Sequence, residues 1–360
     1  MTESLLVVVD AGVAPDITPE TMVAGLPLGR RLLLAGARAG LASAPSSEPG
    51  RRRVILVPSN VIPQPRWLRA LAAMPLQPET LWVDPAQVAV VDTDDPKPVL
   101  DAAGRAASAA ECVAALKGRF ATIEGTADHR GRFAVRTAGD LRRAESWLLR
   151  GLIKDSEGFM SRHVERLVSL ALTRRLVWTS VTPNAMTLVS LAIGLAAAPF
   201  FLSSTPGWQL AGALLFLLHS ILDGCDGEIA RLKFLESAGG AALDFWGDNS
   251  VHVAVFGCMA VGWSLSAHSP WPLCVGAVAV ASTLAAAFVV APHMVSAFAT
   301  AGSRSAGAKT ADALANRDFI YLIVALSVFG KAGWFIVFVA IGTPIFVLVR
   351  LWADRPQGRA

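Results

Sequence analysis

The sequence predicts a two-domain chain: an N-terminal α/β domain over residues 1–140 and a C-terminal all-α membrane domain of six transmembrane helices over residues 184–360. An amphipathic interfacial connector over residues 141–183 joins them. Three observations carry this reading. Of the 360 residues, 53% are hydrophobic and only 17% charged, a low charge content for a soluble domain. The apolar residues are unevenly spread, mixed with Pro, Gly and charge in the first 150 residues and gathered into long runs afterwards. Lysine and arginine cluster in alternate links between those runs, the asymmetry expected of a membrane bundle.

In the first domain, "LLVVVD", "RVILVPSN", "TLWVD" and "VAVVDT" are short β-branched runs ending in turn residues, and read as buried strands. "GRRLLLAGARAGLA", "PRWLRALAAM" and "VLDAAGRAASAAECVAALKGRF" carry the helical period. Strands alternating with helices imply a layered fold on a mainly parallel sheet. The first residues, "MTESLLVVVDAGVAPD", lack a basic stretch and reach an Asp after a few apolar positions, which reads as a strand rather than a signal peptide. Cys112, Cys225, Cys258 and Cys274 have neither paired nor metal-ligand spacing. The net charge of +4 suits a face toward anionic lipid or phosphate and is too small and dispersed to indicate nucleic acid.

From about residue 140 the chain becomes rich in Arg, Leu and Trp at helical spacing, as in a helix lying on a membrane surface. Six spans follow, at 184–202, 208–232, 240–263, 271–293, 313–329 and 333–352. Each approaches the roughly 20 residues needed to cross hydrocarbon, the fifth only if its polar first turns are helical. Arg231 and Lys233 lie at the end of the second span, Arg304 and Lys309 between the fourth and fifth with Arg317 at the start of the fifth, and Arg350, Arg355 and Arg359 end the chain. The opposite links "SSTPG" and "SLSAHSP" have no Lys or Arg, and "GKAG" has one. By the positive-inside rule both termini are cytoplasmic, in an inner or plasma membrane of bacterial type. Trp208, Trp263, Trp271, Trp334 and Trp352 fall near span ends, where interfacial aromatics belong.

Four acids interrupt this apolar pattern. At 100° per residue, Asp223, Asp226, Gly227 and Ala230 share a face of the second span with Arg231 at its edge, and Gly240, Asp244 and Asp248 form a stripe on the third. The link "KFLESAGG" turns the chain back, so the two stripes can meet. Carboxylates that close repel unless a cation neutralises them, and a hard oxygen set suits Mg²⁺, Mn²⁺ or Ca²⁺. Small residues leave room for a ligand, and Arg231 offers a fixed cation to a phosphate. From residue types alone three readings stand: metal-assisted phosphoryl transfer, a divalent-cation transporter using the same acids, and a salt-bridge network with Arg231 and Lys233.

The stretch resembles the signature of the CDP-alcohol phosphotransferases, D-x-x-D-G-x-x-A-R, eight residues, then G-x-x-x-D-x-x-x-D. Asp223, Asp226, Gly227, Ala230, Arg231, Gly240, Asp244 and Asp248 fill every fixed position. The resemblance implies a six-helix membrane enzyme, commonly a homodimer, dependent on Mg²⁺ or Mn²⁺. It transfers a phosphate-linked alcohol from a CDP-alcohol, CDP-diacylglycerol or a CDP-polyol, to an acceptor hydroxyl and releases CMP, in phospholipid or polar-lipid synthesis. Carried over by position, Asp223, Asp226, Asp244 and Asp248 ligate metal, Asp248 also acts as general base, and Gly227, Ala230, Arg231 and Gly240 line the nucleotide and phosphate pocket. "TPNAMT" at 182–187 resembles the family's entry to its first span, placing Asn184 within reach of the nucleotide. Arg317, beside Asp318 at the start of the fifth span, is a candidate for binding the acceptor, an inositol phosphate, glycerol phosphate or related polyol phosphate.

Upstream, "WLLRGLIKDSEGFMSRHVERLVSLALTRRL" is similar to the membrane half of bifunctional inositol-phosphate cytidylyltransferase/di-inositol-phosphate-phosphate synthases. Their N-terminal half is nucleotidyltransferase-like, and "GLPLGRRLLLAGARAG" and "RTAGDLRRAE" look like counterparts of it. Here the Gly-rich basic loop that would cradle CTP phosphates is replaced by "VVVDAGVAPDITPE". The first domain is therefore expected to be a degenerate nucleotidyltransferase-like module, structural or regulatory. Its Asp84, Asp92, Asp94 and Asp95 read as loop-surface acids.

Overall fold

The computed structural model describes residues 3–12, 16–43, 52–126, 128–153, 159–299 and 318–353. The chain divides into two units, Met1–Arg150 and Gly151–Ala360. Helix α5 (Asp140–Arg150), which the sequence assigns almost wholly to the connector, lies in the first.

Among its described residues the first unit has nine strands: β1 (Glu3–Val9), β2 (Met22–Val23), β3 (Leu26–Pro27), β4 (Arg52–Pro58), β5 (Val61–Pro63), β6 (Thr80–Val83), β7 (Ala89–Thr93), β8 (Ala121–Glu124) and β9 (Arg132–Ala134). Around them lie α1 (Leu28–Ala39), α2 (Pro65–Ala72), α3 (Lys97–Arg105), α4 (Ala109–Lys117) and α5. The main sheet runs β1-β4-β7-β6-β8. β1 and β6 pair in parallel with β4 and β8, but β7 is antiparallel to both neighbours. The sheet is thus mixed, not mainly parallel as expected. The reason is local: between β6 and β7, Asp84 Oδ1 accepts from the amides of Ala86 and Val88 at 2.8 and 3.2 Å and closes a tight turn. A link that short can join only antiparallel strands.

The expected single helix after β7 is two, because Ser108 leaves the helical conformation and caps α4 by accepting from Glu111 N. Leu5, Val54, Leu56, Leu81 and Val91 form the core with Val113 and Leu116 of α4. Asp84 and Asp92 are not surface acids: both are buried, Asp84 against Arg132 and Asp92 3.0 Å from Arg53. Arg31 on α1 is buried too, donating to the carbonyls of Val23 and Ala24 at 2.9 and 3.0 Å. Burial pulls its pKa down to about 10, opposed by Glu145 on α5, so the guanidinium stays charged at neutral pH.

The second unit begins with α6 (Arg166–Leu176), entered through a π-helical turn at Ser161–Glu165. It continues with α7 (Pro183–Ala197), α8 (Pro206–Lys233), α9 (Ala238–Ala267), α10 (Trp271–Ala299), α11 (Phe319–Val328) and α12 (Phe335–Ala353). Among the described residues, five stretches are long and apolar enough to cross a membrane: Pro183–Leu202, Pro206–Lys233, Ala238–Ala267, Trp271–Pro292 and Ala332–Trp352. The unit is built as an integral membrane protein. The expected sixth span is not among them, since α11 has 10 described residues, which rise about 15 Å, half the hydrocarbon thickness of roughly 30 Å.

Phe201, Phe216, Val251, Val255, Met259, Ile323 and Phe335 pack at the bundle centre. Leu214, Phe288, Phe338 and Leu348 face outward, as lipid-facing residues do. One crossing depends on glycine: a Cβ on Gly262 would stand 2.1 Å from the carbonyl oxygen of Phe201. At the end of α8 away from the acids, Gln209 donates to the Ser203 carbonyl at 3.1 Å and accepts from the Ala332 amide at 3.0 Å. Trp263 packs against Trp271 and Trp334 with centroids 4.5 and 6.1 Å away.

Candidate metal and phosphate site

Helix α8 ends at Phe234, whose left-handed conformation (φ 56°) breaks the helix and lets the Leu235 amide donate back to the Ala230 carbonyl at 2.8 Å. Three residues later Ser237 caps α9 by accepting from Gly240 N at 3.0 Å. The chain thus reverses within a few residues, and the two acidic stripes run side by side. Asp223 and Asp226 of α8 and Asp244 of α9 each present a carboxylate oxygen, all within 4.8 Å of one another. Asp223 and Asp226 are buried.

Two like charges that near cost about 3–4 kcal/mol even at an effective dielectric of ~20. A donor set of three hard oxygens fits a divalent cation such as Mg²⁺ or Mn²⁺, which offsets that repulsion. The residues present therefore fit the expected metal.

The other expected residues fall around this trio. The Arg231 guanidinium lies over Gly227, where a Cβ would stand 3.3 Å from Nη1. Asn184, in the first turn of α7, lies against Gly240, its Oδ1 3.0 Å from where a Cβ would be. Ala230 is buried one residue before Arg231. Asp248 stands apart from the trio, one turn further along α9, its Oδ1 3.2 Å from Nε2 of His219. Arg317 lies outside the described residues. Its neighbour Asp318 accepts from the amides of Ser161 and Met160 at 3.2 and 3.4 Å, capping the turn that leads into α6.

Three partners were not singled out by sequence. Thr187, one turn beyond Asn184, hydrogen-bonds the Asp226 carboxylate. His219 holds Asp248. Glu228, fully buried on α8, is bound by Arg166 and accepts from Ser169 at 2.7 Å and Thr173 at 2.6 Å, all on α6. The signal for His219 was present, since it precedes Asp223 by one helical turn on the same stripe. For Glu228 it was the spacing of Arg166, Ser169 and Thr173, which share one face of α6.

Residues 180–352 match the CDP-alcohol phosphatidyltransferase family. The chain is 41% identical over 111 residues to the bifunctional IPC transferase and DIPP synthase of Thermococcus kodakarensis, covering 31% of this chain and 24% of that protein. It is 46% identical over 68 residues to the inner membrane protein YnjF of Escherichia coli, covering 18% of this chain and 32% of that one. The matched curated relatives are covered over only 22% to 34% of their own lengths. The crystal structure of the phosphatidylinositol phosphate synthase of Mycobacterium tuberculosis with CDP-DAG bound aligns over 52% of this chain and 92% of that one, with 18% identity and a TM-score of 0.37. The match to the CDP-alcohol phosphatidyltransferase family thus falls on the helical unit that gathers the three aspartates.

Proposed function

We propose that this chain transfers a phosphate-linked alcohol from a CDP-alcohol to an acceptor hydroxyl and releases CMP, in the synthesis of a phospholipid or other polar lipid. The observation that carries the reading is the convergence of Asp223, Asp226 and Asp244 within 4.8 Å, inside a helix pair of otherwise membrane-spanning composition. A divalent cation held there, Mg²⁺ or Mn²⁺, supplies positive charge to the phosphoryl oxygens.

The chain's own residues do the rest. Arg231, laid over Gly227, binds a donor phosphate. Asn184 and Gly240, which lie against each other, line one side of the nucleotide's place, and the small side chain of Ala230 leaves it room. The acceptor oxygen bonds to the β-phosphorus, the bridging P–O bond breaks, and CMP leaves with the electron pair. Asp248 takes the acceptor's proton. The name of the Thermococcus kodakarensis relative, a bifunctional IPC transferase and DIPP synthase, supports a polyol phosphate as acceptor. The charge asymmetry of the links supports six spans with both termini cytoplasmic. The assembly we infer is a homodimer, with the N-terminal unit a nucleotidyltransferase-like module that is structural or regulatory.

Purified protein in detergent with Mg²⁺ or Mn²⁺ is expected to release CMP from a CDP-alcohol once an acceptor is supplied, and Asp248→Ala to abolish release. Silence across a panel of CDP-alcohols and polyol-phosphate acceptors would overturn the reading. Ion flux into proteoliposomes without CMP release would replace it with transport.

A further inference from the structure

We propose that His219 is a positioning residue for this reaction, holding the Asp248 carboxylate in the orientation from which it receives the acceptor's proton. The inference rests on the reading of Asp248 as the base. His219 is 2% exposed. Its Nδ1 lies 2.9 Å from the Ser190 carbonyl on α7. A carbonyl only accepts, so Nδ1 carries a hydrogen and donates. That bond fixes the plane of the ring and aims Nε2 at Asp248 Oδ1, 3.2 Å away on α9. An ionised carboxylate also only accepts, so in holding the base both ring nitrogens carry hydrogen and Nε2 donates.

Packing leaves the ring little freedom. Phe216 stacks on it with centroids 5.9 Å apart and an interplanar angle of 16°. Gly194 comes so close that a Cβ there would stand 2.9 Å from the imidazole Cγ. Three helices therefore converge on one ring, whose outward nitrogen holds the candidate base. On α9 a second ring joins the cluster: His252 Nδ1 lies 2.7 Å from the Asp248 backbone carbonyl, and the His252 ring sits edge-on to Phe216 at 5.5 Å. Such an arrangement matters to catalysis because a misplaced catalytic group loses rate steeply with distance.

The two nitrogens of His219 can be tested separately. Asparagine places an amide nitrogen near the Nδ1 position, toward Ser190, whereas glutamine reaches the Nε2 position, toward Asp248. His219→Ala and His219→Asn are expected to lower kcat about 10- to 100-fold, the usual effect of losing a hydrogen-bonded support to a site ligand. The KM for the CDP-alcohol and the Mn²⁺ affinity, read by EPR titration, are expected to stay near wild type. His219→Gln is expected to restore most of the kcat. Recovery by Asn instead of Gln, wild-type kcat in all three variants, or a fall in Mn²⁺ affinity in step with kcat would each overturn the assignment. Asp248→Asn, assayed in parallel, separates the two levels. If it still releases CMP, the base assignment fails and His219 falls with it. If it is silent while His219→Ala runs at the wild-type rate, only the role of His219 fails.

Discussion

Helix α8 carries buried carboxylates of two kinds within six residues. Glu228 meets a guanidinium and two hydroxyls from α6. Asp223 and Asp226, on another face of the same helix, gather with a third carboxylate, Asp244, even though Asp226 also accepts from Thr187. Burial alone does not separate them, since all three α8 acids are 5% exposed or less. The difference is what each side chain is aimed at. A carboxylate surrounded by donors is a joint between helices, and its charge is neutralised within the fold. Carboxylates aimed at one another store repulsion that a cation relieves, and a fold retains such repulsion where function uses it.

The largest expected effect lies on the acidic side of this comparison. Asp226→Asn should cut CMP release about 10²- to 10³-fold, as removal of one electrostatic contact to a transition state does. The thermal midpoint of the metal-free protein should not fall, because one of three crowded charges is gone. A lower midpoint with activity retained would make Asp226 a joint like Glu228.

Glu228→Gln should do the reverse. Leaving the Arg166 guanidinium beside a neutral amide is expected to cost about 3–5 kcal/mol of stability, read by denaturation in detergent, while the folded fraction keeps its turnover. Adding Arg166→Met should recover part of the loss. Turnover lost at unchanged stability would place Glu228 in the reaction and dissolve the contrast. A smaller effect is expected at the far end of α8. Gln209→Ala leaves the Ser203 carbonyl and Ala332 amide without their side-chain partner, at a cost of about 1–3 kcal/mol and no change in kcat.

The parts of this molecule legible in the sequence are those governed by helical period. The acidic stripes could be drawn from spacing alone, and α8 and α9 place three of the four acids together. Strand direction is not periodic, so nothing in "TLWVDPAQVAVVDT" announced an antiparallel pair except the brevity of the turn at Asp84. Glu228 escaped notice for a related reason. Its partners lie 55 to 62 positions upstream, in a stretch that reads as an ordinary amphipathic helix until its packing on α8 is known. His219 was missed because an apolar span with one histidine reads as core, and its two acceptors come from two other helices. The span count depended on the stretch 313–317, which lies outside the described residues and includes Arg317.

The turn between α8 and α9 works as a phase-setter. Phe234 reverses the chain and Ser237 restarts the helix, so the angular position of Asp244 relative to Asp223 is dictated by the number of residues between them. One residue added there would rotate every acid on α9 by about 100°, pointing the stripe at lipid instead of at its counterpart. The side chains of this turn can drift, but its length cannot. The distance in sequence between the two halves of the motif is thereby as much a part of the site as the carboxylates themselves.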